Sequence, residues 1–444
     1  MCDGVYTLYP RSPIAVAALT LGRTYIAFLS MNIAVGAKLV FVNRFFYPDH
    51  SATSQMLTSL ATALAGQGWD VHVVTSRLRY DDPEAALPAR ERISAVRVYR
   101  VWTSRYGRAW LPGRVLDYLT FYPSAAWRLW RLARRGDIVI AKTDPPMLSV
   151  AAAAVVRLRG ARLVNWLQDI FPEIAQVLRM HLIDGVFARL LRRLRDWSLK
   201  GASANVVLGR RMLNHLLERG LDPKRISTIA NWESGNVIRS VAREADELRR
   251  DWSLGERFVV GYSGNMGRAH DFGIVLDAAE RLKTTDVVFL WIGNGSQRSW
   301  LEHEARRRGL DSFLFKPYQP RERLAQSLSA PDAHLISLRP DMEGLIFPSK
   351  FYGILAAGRP SLFLGDPEGD VAAELYKHRC GYSIAPGDAD ALASRILHLS
   401  ENTENCRAMG ERARHAFITL YDEQLAVERW ARLLRDIADA PSGR

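Results

Sequence analysis

The second half of the chain contains a glycine-rich turn of a kind that binds anions. In residues 259–268 (VVGYSGNMGR), a short apolar run leads into three glycines, and a helical pattern begins near Asp271. Glycines let the backbone approach a ligand closely, and a helix N-terminus offers unpaired N–H groups to an anion. We therefore predict that Gly264, Asn265 and Arg268 contact a phosphate group. The alternative is an empty turn, because many α/β proteins have such turns without a ligand.

A second segment places a lysine at a helix start. In residues 343–360 (EGLIFPSKFYGILAAGRP), Ser349 is the predicted N-cap, so Lys350 falls in the first turn. A cation there opposes the helix macrodipole, which favours anions at that end by roughly 0.3–1 kcal/mol. A shared anion such as a diphosphate explains why Lys350 and Arg268 both lie near helix starts. Ser349 would also contact this anion. Otherwise, both cations are simply solvated.

A glutamate precedes this helix by a short loop. A carboxylate beside a diphosphate would be repelled by it, but it can accept hydrogen bonds from sugar hydroxyls. Glu343 is therefore predicted to orient a sugar. The glycine turn, the glutamate and the Pro-Ser-Lys helix are together far more specific than any one of them.

Short apolar runs alternate with helical segments in both halves of the chain. The β-branched runs predict parallel strands buried on both faces. Strands are predicted at residues 38–43, 70–75, 96–101, 137–141, 162–167, 205–208 and 226–229, and again at 258–263, 287–292, 312–315, 333–338 and 361–364. Helical segments are predicted between them, such as residues 54–65, 125–134, 186–199, 273–282, 299–308 and 389–399. This alternation indicates an α/β fold of two Rossmann-like parallel-sheet domains that face a central cleft.

The polar stretch 236–250 separates the two series and marks the predicted domain boundary. We expect a poorly determined extension at residues 1–37, a first domain at 38–235, a second domain at 251–420 and a C-terminal segment at 421–444. The helix predicted at 423–437 follows the second sheet, and it is expected to cross back to the first domain. Ligands of open α/β sheets bind outside the carboxyl ends of the strands, so the site is expected in the cleft.

The net charge of +13 is unevenly distributed. Residues 1–232 carry 32 basic and 16 acidic residues, a net +16, whereas the remainder carries 28 basic and 31 acidic residues, a net −3. Such asymmetry indicates that the first half faces an anionic surface. Arginines alternate with Trp and Tyr in residues 100–135, and five more cations follow in residues 187–200.

This composition suits lipid headgroups, where the ring of an aromatic side chain is buried and its polar edge stays wet. Nucleic acid and a merely solvated arginine face are the alternatives. The sequence contains no RNA-binding signature and no zinc module, so we predict an anionic membrane surface and no nucleic acid as the partner.

The amino-terminal stretch 14–35 is apolar but is interrupted by Arg23, so its uninterrupted run is too short to span a bilayer. An over-extended start and a membrane-dipping anchor both remain open. The cysteines, Cys2, Cys380 and Cys406, lie far apart, which excludes a disulfide framework and suggests a reducing compartment. The histidines show no metal-ligand pattern, and we expect no metal.

Both halves resemble the retaining glycosyltransferases of the GT-B fold in the nucleotide-sugar family 4 (group 1). In the second half the resemblance is carried by GYSGNMGR, LWIGNGSQRSWL, FLFKPY and EGLIFPSKFYGILAAGRP. In the first half, KLVFVNRFFYPDHSATSQMLTSLATAL and NWLQDIFPEIAQVL resemble members that build bacterial exopolysaccharide and O-antigen on lipid carriers. The resemblance extends from residue 38 to the end of the chain. It implies a nucleotide diphosphate sugar as co-substrate, no cofactor, and retention of the anomeric configuration.

The resemblance also assigns residues. Tyr318 falls in the segment that lies beside the nucleotide base, and Asp169 takes the place of a polar residue that family members hold near the reacting sugar carbon. Asp169 has an alternative role, because an aspartate here would also cap the following helix. The family's second glutamate, which commonly holds the ribose hydroxyls, is replaced by Gly353, so the nucleotide preference does not follow from the resemblance.

We therefore predict a glycosyltransferase that moves a sugar from a nucleotide diphosphate sugar to a lipid-linked acceptor in surface polysaccharide synthesis. It would act in the cytoplasm, on the inner face of the cell membrane. Arg268 and Lys350 would bind the diphosphate, Asp169 and Glu343 are the candidate catalytic residues, and fixed cations would assist departure of the nucleotide without a metal. The alternatives are a nucleotide-sugar epimerase of the same architecture and a non-catalytic membrane-bound assembly partner.

Overall fold

The computed structural model describes residues 37–80, 82, 84–107, 111–179, 185–242 and 245–441. These residues form two α/β sheets with mostly parallel strands, which confirms the predicted fold class. The apolar amino-terminal stretch and Cys2 lie outside the described residues.

The first sheet has eight strands in the order β3-β4-β2-β1-β5-β6-β7-β8. The strands are β1 (Lys38–Val42), β2 (Asp70–Ser76), β3 (Arg90–Ile93), β4 (Val96–Val101), β5 (Ile138–Lys142), β6 (Arg162–Trp166), β7 (Ala204–Val207) and β8 (Ile226–Thr228). Its helices are α1 (Ala52–Gly66), α2 (Leu111–Leu132), α3 (Leu148–Arg159), α4 (Glu173–Val177), α5 (Gly185–Gly201) and α6 (Arg210–Glu218). All pairs are parallel except β3 with β4.

The second sheet has six parallel strands in the order β11-β10-β9-β12-β13-β14. The strands are β9 (Val259–Ser263), β10 (Val288–Ile292), β11 (Phe313–Lys316), β12 (Ala333–Ser337), β13 (Ser361–Leu364) and β14 (Gly381–Ile384). Its helices are α7 (Glu247–Asp251), α8 (Gly273–Arg281), α9 (Arg298–Arg307), α10 (Leu324–Ser329), α11 (Lys350–Ala357), α12 (Asp370–His378), α13 (Ala389–Glu401) and α14 (Thr403–Ala416). The chain leaves β9 in one direction and returns to its other side at β12. The carboxyl ends of β9 and β12 therefore flank the crevice where such sheets bind ligands.

Strands β3 and β14 are absent from the sequence prediction, and helix α2 is longer than predicted. Strand β3 is a polar edge strand (RERI) and lacks the apolar run that marks a buried strand. Strand β14 is also an edge strand and only partly buried. Helix α2 begins at Leu111, well before the predicted residue 125. The prediction started too late because Pro123 lies inside the helix, and a proline in a sequence usually marks a helix boundary.

The last helix, α15 (Glu423–Asp439), packs on the first domain. Its Trp430 ring lies 4.8 Å from the ring of Trp166 in β6. The guanidinium of Arg162, at the start of β6, donates to the carbonyl oxygen of Ile437 at 2.6 Å. The chain thus crosses between the two sheets twice, and the second crossing fixes the C-terminal helix to the first core.

Candidate active site

Lys350 lies directly beneath the glycine turn. Its Nζ donates to the hydroxyl of Tyr262 in β9. A Cβ atom on Gly264 would lie only 3.6 Å from Lys350 Cε. Burial lowers the pKa of Lys350 well below its ordinary value. An anionic group at this point would stabilise the charged ammonium and raise that pKa again.

Two glycines in the loop after β10 let that loop pack against the glycine turn. Gly293 and Gly295 follow β10 and have φ values of +133° and +152°. A Cβ atom would lie 2.2 Å from the carbonyl oxygen of Gly264 at the first position, and 2.5 Å from the nitrogen of Met266 at the second. The Met266 N–H donates to the carbonyl oxygen of Asn294 at 2.8 Å. The two loops together form a platform, which we call the glycine platform, above Lys350.

Two other predicted contacts lie on the glycine platform. The ring of Tyr318, which is 56% exposed, lies 3.2 Å from the position of a Cβ on Gly293. Burial raises the pKa of Tyr318, and a hydrogen bond with the backbone of Asn294 opposes that rise. Asn265 is exposed, and its carbonyl oxygen accepts the Tyr262 hydroxyl at 2.8 Å. Tyr318 and Asn265 therefore border one open face of the platform.

Arg268 lies at the edge of a groove whose lining also includes the acidic residues Asp271 and Asp341. Arg268 is exposed, and the groove is also lined by His270, Gln297 and Arg339. Burial, together with the nearby Lys350 charge, lowers the pKa of His270 to about 3, so the imidazole is neutral. His270 lines this groove and is close enough to Lys350 for the lysine charge to act on its imidazole.

Ser349 does not cap the helix as predicted. Its backbone is already helical (φ −60°, ψ −26°), and its side chain makes no cap hydrogen bond. An N-cap residue has non-helical dihedrals, so the hydroxyl is not in capping geometry. The Phe351 N–H donates to the carbonyl oxygen of Pro348. The N–H groups of Ser349 and Lys350 precede that first bond, and they remain for a ligand.

Glu343 has a buried carboxyl with an unsatisfied oxygen. Within the described chain, its Oε1 has no hydrogen-bond partner. That oxygen packs on Gly369, where a Cβ atom would lie 2.3 Å away. Burial raises the pKa of Glu343 to about 7, as do the carboxylates of Asp370 and Asp366, whereas Arg211 opposes the rise. Such an acceptor suits a hydroxyl group of a ligand.

Asp169 lies on a loop that pairs with the loop of Glu343. Its backbone forms an antiparallel bridge with Ile346. Burial raises the pKa of Asp169 to about 7, a hydrogen bond from Thr143 opposes the rise, and the Asp144 carboxylate adds to it. Its Oδ1 has no partner among the described residues.

The N-cap alternative for Asp169 is wrong. The next helix, α4, begins at Glu173 and has Pro172 at its cap position. Asp169 instead lies on the loop that follows β6, where its backbone meets Ile346 of the second domain.

Gly353 faces the core of the second domain. A Cβ atom there would lie 3.2 Å from Leu328 Cδ1 and 3.9 Å from Ile238 Cδ1. Both side chains are buried in an apolar cluster. A glutamate at this position would place an unpaired carboxylate among aliphatic groups, which is strongly unfavourable. The apolar packing around Gly353 is thus consistent with the absence of the family's second glutamate at this position.

Sequence reasoning missed several residues of this site. Tyr262 falls within a predicted strand, and His270 lies just beyond the predicted glycine turn, so neither was a candidate. Arg211 and Asp370 lie far apart in the sequence and meet only because the domains are in contact. No local pattern marks them, so only the arrangement of the domains reveals them.

In the part of the chain that the structure describes, no three His, Cys, Asp or Glu side chains come together as metal ligands. The expectation that the reaction needs no metal or other cofactor stays a prediction. Among the same residues, no helix combines the length and the apolar character needed to cross a bilayer.

Comparison with known proteins identifies the class. The family model "Glycosyl transferase 4-like domain" matches residues 52–232, and "Glycosyl transferases group 1" matches residues 244–416. The chain belongs to this glycosyltransferase family, which confirms the predicted enzyme class.

Two curated proteins are similar over most of their length. The probable glycosyltransferase WbjE of Pseudomonas aeruginosa is 28% identical over 316 residues, which are 70% of this chain and 77% of the relative. The putative colanic acid biosynthesis glycosyl transferase WcaI of Escherichia coli (strain K12) is 26% identical over 333 residues, 70% of this chain and 79% of the relative.

Solved structures share the GT-B fold. Sucrose-phosphate synthase from Thermosynechococcus elongatus has a TM-score of 0.74 at 16% identity, covering 90% of this chain and 99% of that one. Anabaena HepE in complex with UDP-glucose has a TM-score of 0.65 at 17% identity, and the match covers 90% of this chain and 99% of HepE. WaaG, a glycosyltransferase involved in lipopolysaccharide biosynthesis, has a TM-score of 0.62 at 16% identity, covering 91% and 100%.

Proposed function

We propose that this glycosyltransferase moves a sugar from a nucleotide diphosphate sugar to a lipid-linked acceptor in the synthesis of a bacterial surface polysaccharide, with retention at the anomeric carbon. The observation that carries the proposal is the pairing of the Asp169 loop with the loop that follows Glu343, in the domain that holds Lys350 beneath the glycine platform. Relatives named for colanic acid and lipopolysaccharide biosynthesis support the polysaccharide class.

The donor's diphosphate would lie against Lys350, the free N–H groups of the α11 N-terminus and the Arg268 guanidinium. As the bond between the anomeric carbon and the phosphate oxygen breaks, negative charge grows on the departing nucleoside diphosphate. Fixed cations and backbone N–H groups that already point at this charge lower the barrier without reorganisation. The nucleotide base would stack beside Tyr318.

Two carboxyls would serve the sugar and the acceptor. Glu343 has an unsatisfied oxygen that would accept hydrogen bonds from the donor sugar's hydroxyls. Asp169 comes from the first domain, so it would lie between the anomeric carbon and the acceptor. The acceptor hydroxyl oxygen bonds to that carbon and loses its proton in the same reaction. A carboxyl with a pKa near 7 is suited to exchange a proton at neutral pH.

We further propose that the first domain lies on the inner face of the cell membrane. Helices α2, α3 and α5 lie side by side on one face of the first sheet. Their outer side exposes large apolar residues together with arginines, and we call it the basic–apolar surface. Its apolar members are Val115, Leu116, Leu119, Trp127, Trp130, Leu158, Val186, Phe187, Leu190, Leu194 and Trp197. Its exposed cations include Arg131, Arg134, Arg135, Arg189 and Arg193.

Helix α5 carries the strongest argument for this contact. Phe187, Leu190, Leu194 and Trp197 recur at helical spacing and are all exposed. A helix on a globular protein normally turns such a stripe toward its core. An apolar stripe flanked by arginines matches a helix that lies in the headgroup region of an anionic bilayer. An enzyme held there would meet an acceptor whose lipid stays in the membrane.

The test is incubation of the protein with a panel of radiolabelled nucleotide sugars and with membranes that carry lipid-linked acceptors. The proposal predicts label in the organic-solvent extract with one donor. A soluble converted sugar formed from the donor alone would support the epimerase alternative. Donor binding without turnover on any acceptor would support a non-catalytic assembly partner.

A further inference from the structure

A carboxylate of the second domain caps a helix of the first domain. Helix α6 begins after Gly209, which has no side chain to cap it. Instead, the backbone N–H of Arg211 donates to both carboxylate oxygens of Asp370, at 3.2 and 3.0 Å. Carboxylates are favoured at a helix start, because they accept its unpaired N–H groups and oppose its dipole. The contact is therefore an attractive link between the domains.

This link explains the glycine at position 209. A Cβ atom on Gly209 would lie 2.3 Å from Oδ2 of Asp370. The backbone there is extended (φ −160°), so the conformation alone does not require a glycine. The requirement comes from the close approach of the carboxylate.

The side chain of Arg211 strengthens the same contact. Its guanidinium donates to the carbonyl oxygen of Glu368 at 2.8 Å and to Oδ2 of Asp366 at 3.4 Å. Both partners belong to the loop before α12. The start of α6 is thus held by one short segment of the second domain, residues 366–370.

The same segment also packs against Glu343. The Glu343 carboxyl packs on Gly369, and the neighbouring backbone N–H of Asp370 acts to lower its pKa. On the other side, a Cβ atom on Gly344 would lie 3.1 Å from the carbonyl oxygen of Arg211. The Glu343 loop therefore lies between the start of α12 and the start of α6.

We propose that Asp370 is a positioning residue that makes the donor-sugar subsite depend on the first domain. Its side chain binds the start of α6, and the backbone at Gly369 and Asp370 packs against the Glu343 carboxyl, so one short segment makes the domain contact and also holds the Glu343 carboxyl in place. The inference rests on the proposed function, because it assigns Glu343 to the donor sugar. When the domains separate, α6 loses its cap and Glu343 loses a wall of its pocket. The sugar is then held for transfer only when the domains are in contact.

The charges around Glu343 give two substitutions with opposite effects. The carboxylates of Asp370 and Asp366 raise the pKa of Glu343, and the Arg211 guanidinium lowers it. Asp370→Asn removes one negative charge, so it lowers the pKa of Glu343. Arg211→Met removes the positive charge, so it raises that pKa. A merely structural role would not move the pH profile in opposite directions.

The experiment uses the full chain with Asp370→Ala, Asp370→Asn and Arg211→Met. The matched control is Asp388→Ala, because Asp388 caps α13 within its own domain through the Ala391 N–H at 2.9 Å. Amide hydrogen exchange in the first turn of α6 reports the domain contact and needs no donor. Steady-state rates with the donor that the wild type transfers, and calorimetry with UDP and GDP, report the sugar subsite.

We expect Asp370→Ala to speed exchange at the start of α6 and to lower kcat/KM by about tenfold or more. Nucleoside diphosphate affinity should change less than about threefold, because the diphosphate contacts lie elsewhere. Asp388→Ala should change neither the exchange at the start of α6 nor kcat/KM. The acidic limb of kcat/KM should move to lower pH in Asp370→Asn and to higher pH in Arg211→Met.

Three results would overturn the inference. They are unchanged exchange at α6 in Asp370→Ala, unchanged kcat/KM in Asp370→Ala, and acidic limbs that move in the same direction in Asp370→Asn and Arg211→Met. If the wild type transfers no sugar at all, the proposed function fails. In that case, exchange at α6 still decides whether Asp370 joins the domains.

Discussion

Asp169 of the first domain and Ile346 of the second form an antiparallel bridge, and the adjacent Ile170 N–H donates to the carbonyl oxygen of Leu345 at 2.8 Å. Two loops from different domains are thus hydrogen-bonded beside two carboxyls, Asp169 and Glu343, whose pKa values are raised to about 7. Carboxyls with strongly perturbed pKa values in a cleft between domains are typical of a functional site. This arrangement supports placing the donor sugar and the acceptor on opposite sides of the paired loops.

Replacing Arg268 tests the edge of the diphosphate site. Arg268 is exposed, so Arg268→Ala should change the free energy of unfolding by less than about 0.5 kcal/mol. It should nevertheless cost about 2–4 kcal/mol of transition-state stabilisation, measured as kcat/KM. Arg268→Lys should restore only part of the rate, because a point charge does not replace a planar fork.

The control for this substitution is Arg281→Ala, which removes an exposed arginine at the far end of α8. Its kcat/KM should equal that of the wild type. Equal rates in Arg268→Ala and Arg281→Ala would remove Arg268 from the site.

The sequence predicts most of the fold because parallel strands buried on both faces appear as apolar runs. Strands β4 and β13 match their predicted ends, since both have such runs. The edge strands β3 and β14 are only partly buried, so their residues carry no such pattern. The first half of α2 was not predicted, because Pro123 within it suggests a helix boundary.

The site was predictable only where local electrostatics mark it. A lysine in the first turn of a helix indicates an anion, and Lys350 does lie beneath Gly264. The side-chain cap expected of Ser349 is wrong, because its backbone is already helical. The contact of Asp370 with Arg211 depends on how the domains meet, which no local pattern encodes.

Glu343→Gln should separate sugar binding from nucleotide binding. The amide keeps the size of the side chain but removes the carboxylate, so hydrogen bonds from sugar hydroxyls weaken. We expect calorimetry to show unchanged affinity for the bare nucleoside diphosphate and a loss of activity with the full donor. Equal weakening for the bare nucleotide and for the nucleotide sugar would show that Glu343 does not act on the sugar.

Asp169→Asn should stabilise the fold while it removes activity. The raised pKa means that folded protein binds more protons than unfolded protein between pH about 4 and 7, so wild-type stability falls as the pH rises through that range. At pH 8 the amide should gain roughly 1–3 kcal/mol, and the gain should shrink toward pH 4. Denaturant titrations at both pH values measure this difference.

An exposed aspartate, Asp286, supplies the control. Asp286→Asn should change stability little and equally at both pH values. A destabilised Asp169→Asn protein at pH 8 would mean that the carboxylate is held by partners and is not a strained functional group.

Vesicle binding should contain a salt-sensitive and a salt-resistant part. Each arginine near anionic headgroups contributes roughly 1 kcal/mol, and that attraction fades beyond a Debye length of about 8 Å at physiological ionic strength. Changing Arg131, Arg134 and Arg135 to Ser should therefore reduce sedimentation with anionic vesicles at low salt. Changing Phe187 and Leu190 to Ser should remove the binding that survives high salt, because salt does not screen apolar contacts.

The matched control changes exposed aromatic residues of the second domain, Trp300 and Tyr376, to Ser. That variant should sediment with vesicles as the wild type does. If wild-type protein stayed in the supernatant with anionic vesicles at low salt, the basic–apolar surface would be merely solvated, and a soluble acceptor would replace the lipid-linked one.

The most direct test compares sugar transfer to a lipid-linked acceptor by wild-type protein, Lys350→Ala and the control Lys283→Ala, which removes an exposed lysine. Lys350 lies beneath the glycine platform, where burial lowers its pKa, and a bound diphosphate would stabilise its charged form. We expect a wild-type rate in Lys283→Ala and, in Lys350→Ala, a barrier raised by about 2–4 kcal/mol, which lowers the rate roughly 30- to 1000-fold. Wild-type transfer and wild-type donor affinity in Lys350→Ala would show that Lys350 does not bind the diphosphate.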